Sequence, residues 1–323
     1  MIRNLHKNKW NYICLLTGLL TMMLSGCVNY AEESSETNVT ISFSSEAVTR
    51  ASGIISDINV RGAKFGIFAK KANPFNNAQT WVFENVPQEV EYDGNNWIYD
   101  PVQKWYKYYY YYFRAYYPLL APNQVSMDFS DHAIVINDFD TSVQTDLLLS
   151  EPYVNTNGTP ELIDLNFKHI LTNVSIRIKK KDWEEAVTLN SFRFTGMKMA
   201  GTFRDNRTPE WEPAGNAYTG NLFELPKAIE LTDENAFTAL FADKLMIPQP
   251  IGWDMLFTFT YTYDAILYTK EIRLLSKGLT DAWQTGKKIT YSLTITPENI
   301  LFEPIEVTPW GEGEGENIVV NPQ

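Results

Sequence analysis

The chain is poor in the residues that metal, thiol and nucleotide chemistry require. It has two cysteines in 323 residues, Cys14 and Cys27. That number supports neither a disulfide framework nor a cysteine-rich zinc site, so stability must come from ordinary core burial. Histidine is equally scarce: His6, His132 and His169 stand far apart, without the four-residue spacing of a helical zinc site. Glycine-rich phosphate-binding loops are missing, as is a serine flanked by glycines at alternate positions, which removes the nucleotide-binding and α/β-hydrolase signatures. Basic residues are in deficit, with 27 Lys and Arg against 39 Asp and Glu and a formal net charge of −12. An acidic surface repels phosphate backbones, so no nucleic-acid partner is expected. These absences imply no cofactor, no metal and no catalytic constellation, and the chain is not read as an enzyme.

Carboxylates do gather at Asp138, Asp140 and Asp146. No glycine sits where a compact calcium loop would turn, so this stretch reads as a solvated loop.

Long apolar runs are absent except at the start. Arg3, Lys7 and Lys9 precede an apolar stretch from Trp10 to Leu24, which ends in Leu24-Ser25-Gly26-Cys27. A basic segment, a short apolar core and small residues before a cysteine describe a lipoprotein signal over residues 1–26. Cys27 is then the expected lipidation site, and its acyl chains the link to a membrane. Residues 27–37 are polar and acidic without periodicity, as in a tether.

From Val39 the pattern becomes one of strands. Val39, Ile41 and Phe43 alternate with Thr40, Ser42 and Ser44, and the same period of two recurs at Val174–Ile178, Phe257–Tyr263 and Ile289–Ile295. Threonine on the outward positions predicts antiparallel sheets with one wet face. The only helical candidate, Asp233 to Ala242, reads equally well as strand. The expectation is an all-β fold of two antiparallel β-sandwiches in series, over 38–160 and 161–310, divided at the turn-rich Asn155–Pro160 stretch. Residues 311–323 form a glycine- and glutamate-rich tail ending in Ile318-Val319-Val320, a candidate donor strand.

Two features invite functional readings. The aromatic run from Lys104 to Tyr117 alternates between two faces, so one face packs inward while rings such as Trp105 and Tyr108 are candidates for contact with a surface glycan or protein. Arg50, beside Ser52-Gly53, is a candidate cleavage site for a trypsin-like protease. On sequence alone it reads equally as an ordinary solvated arginine in a connection.

In order and spacing, these pieces resemble the fimbrillin or Mfa-like pilin lipoproteins of Bacteroidales. The resemblance is carried by the lipobox at Cys27, by Thr40-Ile41-Ser42-Phe43 leading to Thr49-Arg50-Ala51, and by Phe113-Arg114-Ala115-Tyr116-Tyr117-Pro118. Leu165-Asn166-Phe167-Lys168-His169, Ile247-Pro248-Gln249, Trp283-Gln284-Thr285-Gly286-Lys287 and Trp310 continue it. It implies two transthyretin-like sandwiches, an outer-membrane location through lipid, and other pilin subunits as partners by strand exchange. Cleavage after Arg50 would free the strand bearing Val39, Ile41 and Phe43. A monomeric glycan-binding surface lipoprotein is the alternative, and stalk, tip and anchor roles stay open.

Overall fold

The computed structural model describes residues 35–44, 60–206, 208–275, 282–310 and 318–320. Cys27, Arg50, the signal segment and all of the tail except Ile318–Val320 lie outside them. Strands dominate, and helical structure among the described residues is confined to short 3-10 turns such as Thr141–Val143. Asp140 caps that turn by accepting the Ser142 amide. The Asp233–Ala242 stretch is not a helix: Leu240 is buried and donates its amide to Ile176, and Thr238–Ala239 pairs as a short strand instead.

In the first half, Lys64–Ala72 runs through the middle of an eight-stranded sheet. The aromatic strand Tyr110–Tyr117 lies on one side of it and Gln88–Tyr92 on the other. Leu148–Ser150 and Tyr153–Asn155 pair with the aromatic strand, and Phe167–His169 closes that edge. Residues on one face of this sheet, among them Phe65, Ile67 and Phe113, join Ile41, Phe43, Trp105 and Ile163 in a core.

The second half is built from a seven-stranded and a four-stranded sheet. Val174, Ile176, Ile178, Tyr291 and Leu293 of the larger sheet meet Phe192, Phe194, Phe257, Phe259 and Tyr261 of the smaller. The alternation in the sequence supplies these faces. Pairing direction departs from the antiparallel expectation, because Thr172–Lys180 and Lys287–Ile295 run parallel over eight residue pairs. A parallel pair needs a long crossover, and the intervening chain, which carries the four-stranded sheet, provides it. Nor are the threonines of Lys287–Ile295 wet: Thr290, Ser292 and Thr294 are buried. Arg177 covers them, with Nε donating to Ser292 Oγ at 2.7 Å and Nη2 to Glu306 at 2.5 Å, while Thr294 donates to Glu303 at 2.8 Å.

Residues 161–169, expected in the second unit, pair with the first through Leu162–Asp164 and Phe167–His169. A hairpin of Ala200–Asn206 and Thr208–Ala214 crosses back as well and adds to Ile134–Asp140 and Val125–Met127 to make a four-stranded sheet. A third core follows, where Phe68, Tyr116, Ile134 and Leu149 meet Phe203, Leu245, Ile247 and Trp310.

Candidate functional site

The segment Ser35–Ser44 lies between two stretches of chain far from it in sequence. Its first part, Glu36–Thr40, pairs antiparallel with Lys104–Tyr106. Its second part, Ser42–Ser44, pairs in parallel with Leu162–Asp164. Three further backbone bonds complete the seat: Lys107 N to Ser35 O, Ile41 N to Gln103 O, and Leu165 N to Ser44 O, at 2.9 to 3.2 Å. Glu36, Thr40, Ile41 and Ser42–Ser44 thus meet backbone partners from the rest of the chain, while the ladder is interrupted between Glu36 and Thr40.

Side chains divide unevenly. Ile41 is 0% exposed and Phe43 6%, and the Phe43 ring lies 5.6 Å from Tyr99, 6.2 Å from Phe65 and 6.4 Å from Phe113. Burial of two such side chains is worth roughly 1.5–3 kcal/mol each. Val39 departs from the expected inward face and is 50% exposed. Its amide bonds to Thr37 Oγ1 and the ladder shifts register between Glu36 and Thr40, so the period of two is broken there. Two apolar anchors two residues apart, rather than three, hold the strand.

Polar groups hold its ends. Tyr99 OH donates to Ile41 O at 2.9 Å, and Ser44 Oγ to Asp164 Oδ1 at 3.1 Å. Glu36 accepts from Tyr106 OH at 3.0 Å and faces Lys104 at 3.4 Å. The Tyr106 hydrogen bond, then Lys104, hold the Glu36 carboxyl below the usual range, and Glu36 in turn pushes the Tyr106 phenol up. Beneath them the Tyr111 phenol, pushed up to about 12 chiefly by burial, accepts the Tyr106 amide at 2.7 Å. Lys71, whose pKa is lowered by burial, sits 3.9 Å over the Tyr106 ring.

Trp105 is not the exposed ring expected of a glycan contact. It is 0% exposed, packed 4.7 Å from Tyr111 and 6.0 Å from Phe113. It lies on the inward face of the strand that pairs with Glu36–Thr40, where it fills the core beside the two anchors. Tyr108 is 43% exposed, in the turn before the aromatic strand, and its amide bonds to Asn157 O. Gly158 makes this approach possible: at φ +64°, a Cβ there would run into the Tyr106 carbonyl. The Asn155–Pro160 stretch therefore buttresses the strand seat instead of simply linking two units. Sequence reasoning missed Tyr99 and Gln103, which nothing local marks. It also missed Leu162-Ile163-Asp164, the strand that pairs with Ser42–Ser44.

The acidic group also falls apart in the fold. Asp140 caps the helical turn, while Asp146 is buried with its Oδ2 2.8 Å from His169 Nδ1. What the arrangement shows is a first strand held by backbone pairing on both sides and by two apolar anchors.

An all-β protein built around a seated, self-supplied strand is the class that this geometry defines. The chain belongs to the fimbrillin-like family, whose model matches residues 49–310. That family is of a fimbrial, non-enzymatic kind. Among solved structures the fold is similar to that of a fimbrial protein from Bacteroides vulgatus, at 17% identity and a TM-score of 0.60, over 84% of this chain and 100% of that one. It is also similar to a candidate cell-adhesion protein from Bacteroides ovatus, at 14% identity and a TM-score of 0.53, over 85% and 98% of the two chains. No curated protein matches.

Proposed function

We propose that the chain is a subunit or accessory adhesin of a surface fimbrium, assembled by strand exchange at the outer membrane. Lipid on Cys27 holds the newly exported chain to the membrane, and cleavage after Arg50 severs the seated strand from the rest. Loss of that strand uncovers the hole left by Ile41 and Phe43 together with the unpaired backbone of Gln103–Lys107 and Leu162–Leu165, and a strand from a neighbouring subunit restores both. Ile318–Val320, which pairs with Ile305–Val307 of its own sheet, is the candidate donor. The observation that carries this reading is the double-sided seat of Ser35–Ser44. The two transthyretin-like units would then keep their fold while the first exchanges one strand.

The test is mild digestion of the refolded chain with an arginine-specific protease, followed by intact mass and by gels of heated and unheated samples. A cut after Arg50 that yields SDS-resistant ladders supports the proposal. A cut chain that stays monomeric would favour the monomeric glycan-binding lipoprotein, for which the exposed Tyr108 is the remaining ring.

A further inference from the structure

Three properties of the strand seat define what can fill it. Its two walls set direction: an entering strand must run antiparallel to Lys104–Tyr106 and parallel to Leu162–Asp164. Its floor sets spacing, with one apolar anchor at Ile41 and a second two residues on at Phe43. Its rim favours a hydrogen-bond donor in the next position, because Asp164 accepts from the Ser44 hydroxyl at 3.1 Å.

The second anchor hole is shaped for a ring. Phe65 and Phe113 meet Phe43 edge-on, at interplanar angles of 83° and 75°, while Tyr99 and Phe83 lie against it at 55° and 53°. These walls are themselves pinned: Phe65 packs on Trp97 at 4.8 Å, Phe83 on Tyr99 at 5.3 Å, and Phe113 on Trp105 at 6.0 Å. A hole walled in this way closes poorly over a smaller side chain, so an undersized anchor leaves a void.

The chain's own tail can be threaded through the seat in one register. Setting Ile318 in place of Ile41 puts Val320 in the hole of Phe43 and brings Asn321, an amide donor, opposite Asp164. Every shift by one or two residues forces Glu316, Asn317, Asn321 or Pro322 into an anchor position. In the register that remains, spacing and rim are satisfied and the ring is missing.

We infer that the seat is matched to a subunit of another kind, one whose donor strand carries a branched aliphatic residue and, two positions on, an aromatic one, in preference to a second copy of this chain. The inference rests on the proposal that the first strand is exchanged. Links between copies of this chain are then the weaker ones, and a foreign donor with the ring displaces them.

The test uses the chain cut after Arg50, stripped of the freed fragment in denaturant and refolded, with fluorescent synthetic peptides whose binding is followed by anisotropy. Four are compared: residues 35–44, the same peptide with Phe43→Val, residues 312–323, and the same peptide with Val320→Phe. The first-strand peptide and the Val320→Phe tail should bind, and the unaltered tail and the Phe43→Val peptide should bind at least about tenfold more weakly. Equal affinity of the two tail peptides overturns the inference and leaves strand exchange standing. A chain that resists the cut, or a first-strand peptide that does not return to the cut chain, removes strand exchange itself and this inference with it.

Discussion

Replacing Phe43 with alanine asks most directly whether the first strand is a plug. Its ring is 6% exposed and surrounded by Tyr99, Phe65, Phe113 and Phe83, all with centroids within 6.5 Å. Those four rings belong to well-paired strands and turns and have little room to collapse, so most of the cavity should persist. A buried Phe→Ala change costs about 3–5 kcal/mol under those conditions. With a urea dependence of about 3 kcal/mol/M, the upper end of the usual range as expected for a long chain, the unfolding midpoint of the uncut chain should fall by on the order of 1–2 M. Val39→Ala, at a half-exposed side chain in the same strand, should change the stability by less than about 0.5 kcal/mol. The measurement is urea denaturation followed by tryptophan fluorescence, before and after cleavage at Arg50. In the cut and assembled form the two variants should converge on the parent, because the altered strand has left. If Phe43→Ala and Val39→Ala behave alike in the uncut chain, the seat described above does not hold the strand.

Other substitutions probe the supports. Gly158→Ala drives a Cβ into the Tyr106 carbonyl and requires a positive φ, so it should lower the thermal midpoint and make Arg50 easier to cut, as read by the rate of proteolysis. Asp205→Ala leaves the Arg114 guanidinium buried without its anion and should cost about 3–5 kcal/mol in chemical denaturation. A pH effect is expected at His132, whose ring stacks 4.1 Å from Tyr112 and whose Nε2 lies 3.1 Å from Lys70 Nζ. Burial, and then Lys70, hold its pKa below 6.5. The unfolded chain therefore takes up the proton first, and this contribution, complete above pH 6.5, is lost as pH falls through the folded pKa. Hydrogen exchange of residues 128–133 should quicken over that interval in the parent and not in His132→Gln.

Much of the fold was legible because a period of two is a local property. Val174–Ile178, Phe257–Tyr263 and Ile289–Ile295 bury the apolar faces their alternation announces. Strand partners are not local, which is why the parallel pairing of Thr172–Lys180 with Lys287–Ile295 and the return of the 200–214 hairpin to the first half left no trace in the pattern. At the site, Ile41 and Phe43 were readable as buried. Val39 was not, because a side-chain bond from Thr37 breaks the period. Trp105 was misplaced for a related reason: alternation assigns residues to opposite faces without saying which one looks inward. Tyr99, which holds Ile41 from a loop, has no signature of its own.

The crossing hairpin has a mechanical consequence. Ala200–Asn206 pairs with Ile134–Asp140 along a shared sheet, with a bulge between Ile136 and Phe139, and Phe203 and Trp211 close over the joint. A hinge between the halves would have to shear that ladder along its whole length instead of unzipping it from one end. If the chain polymerises as proposed, each link would behave as a stiff rod, and compliance under flow would reside in the contacts between links.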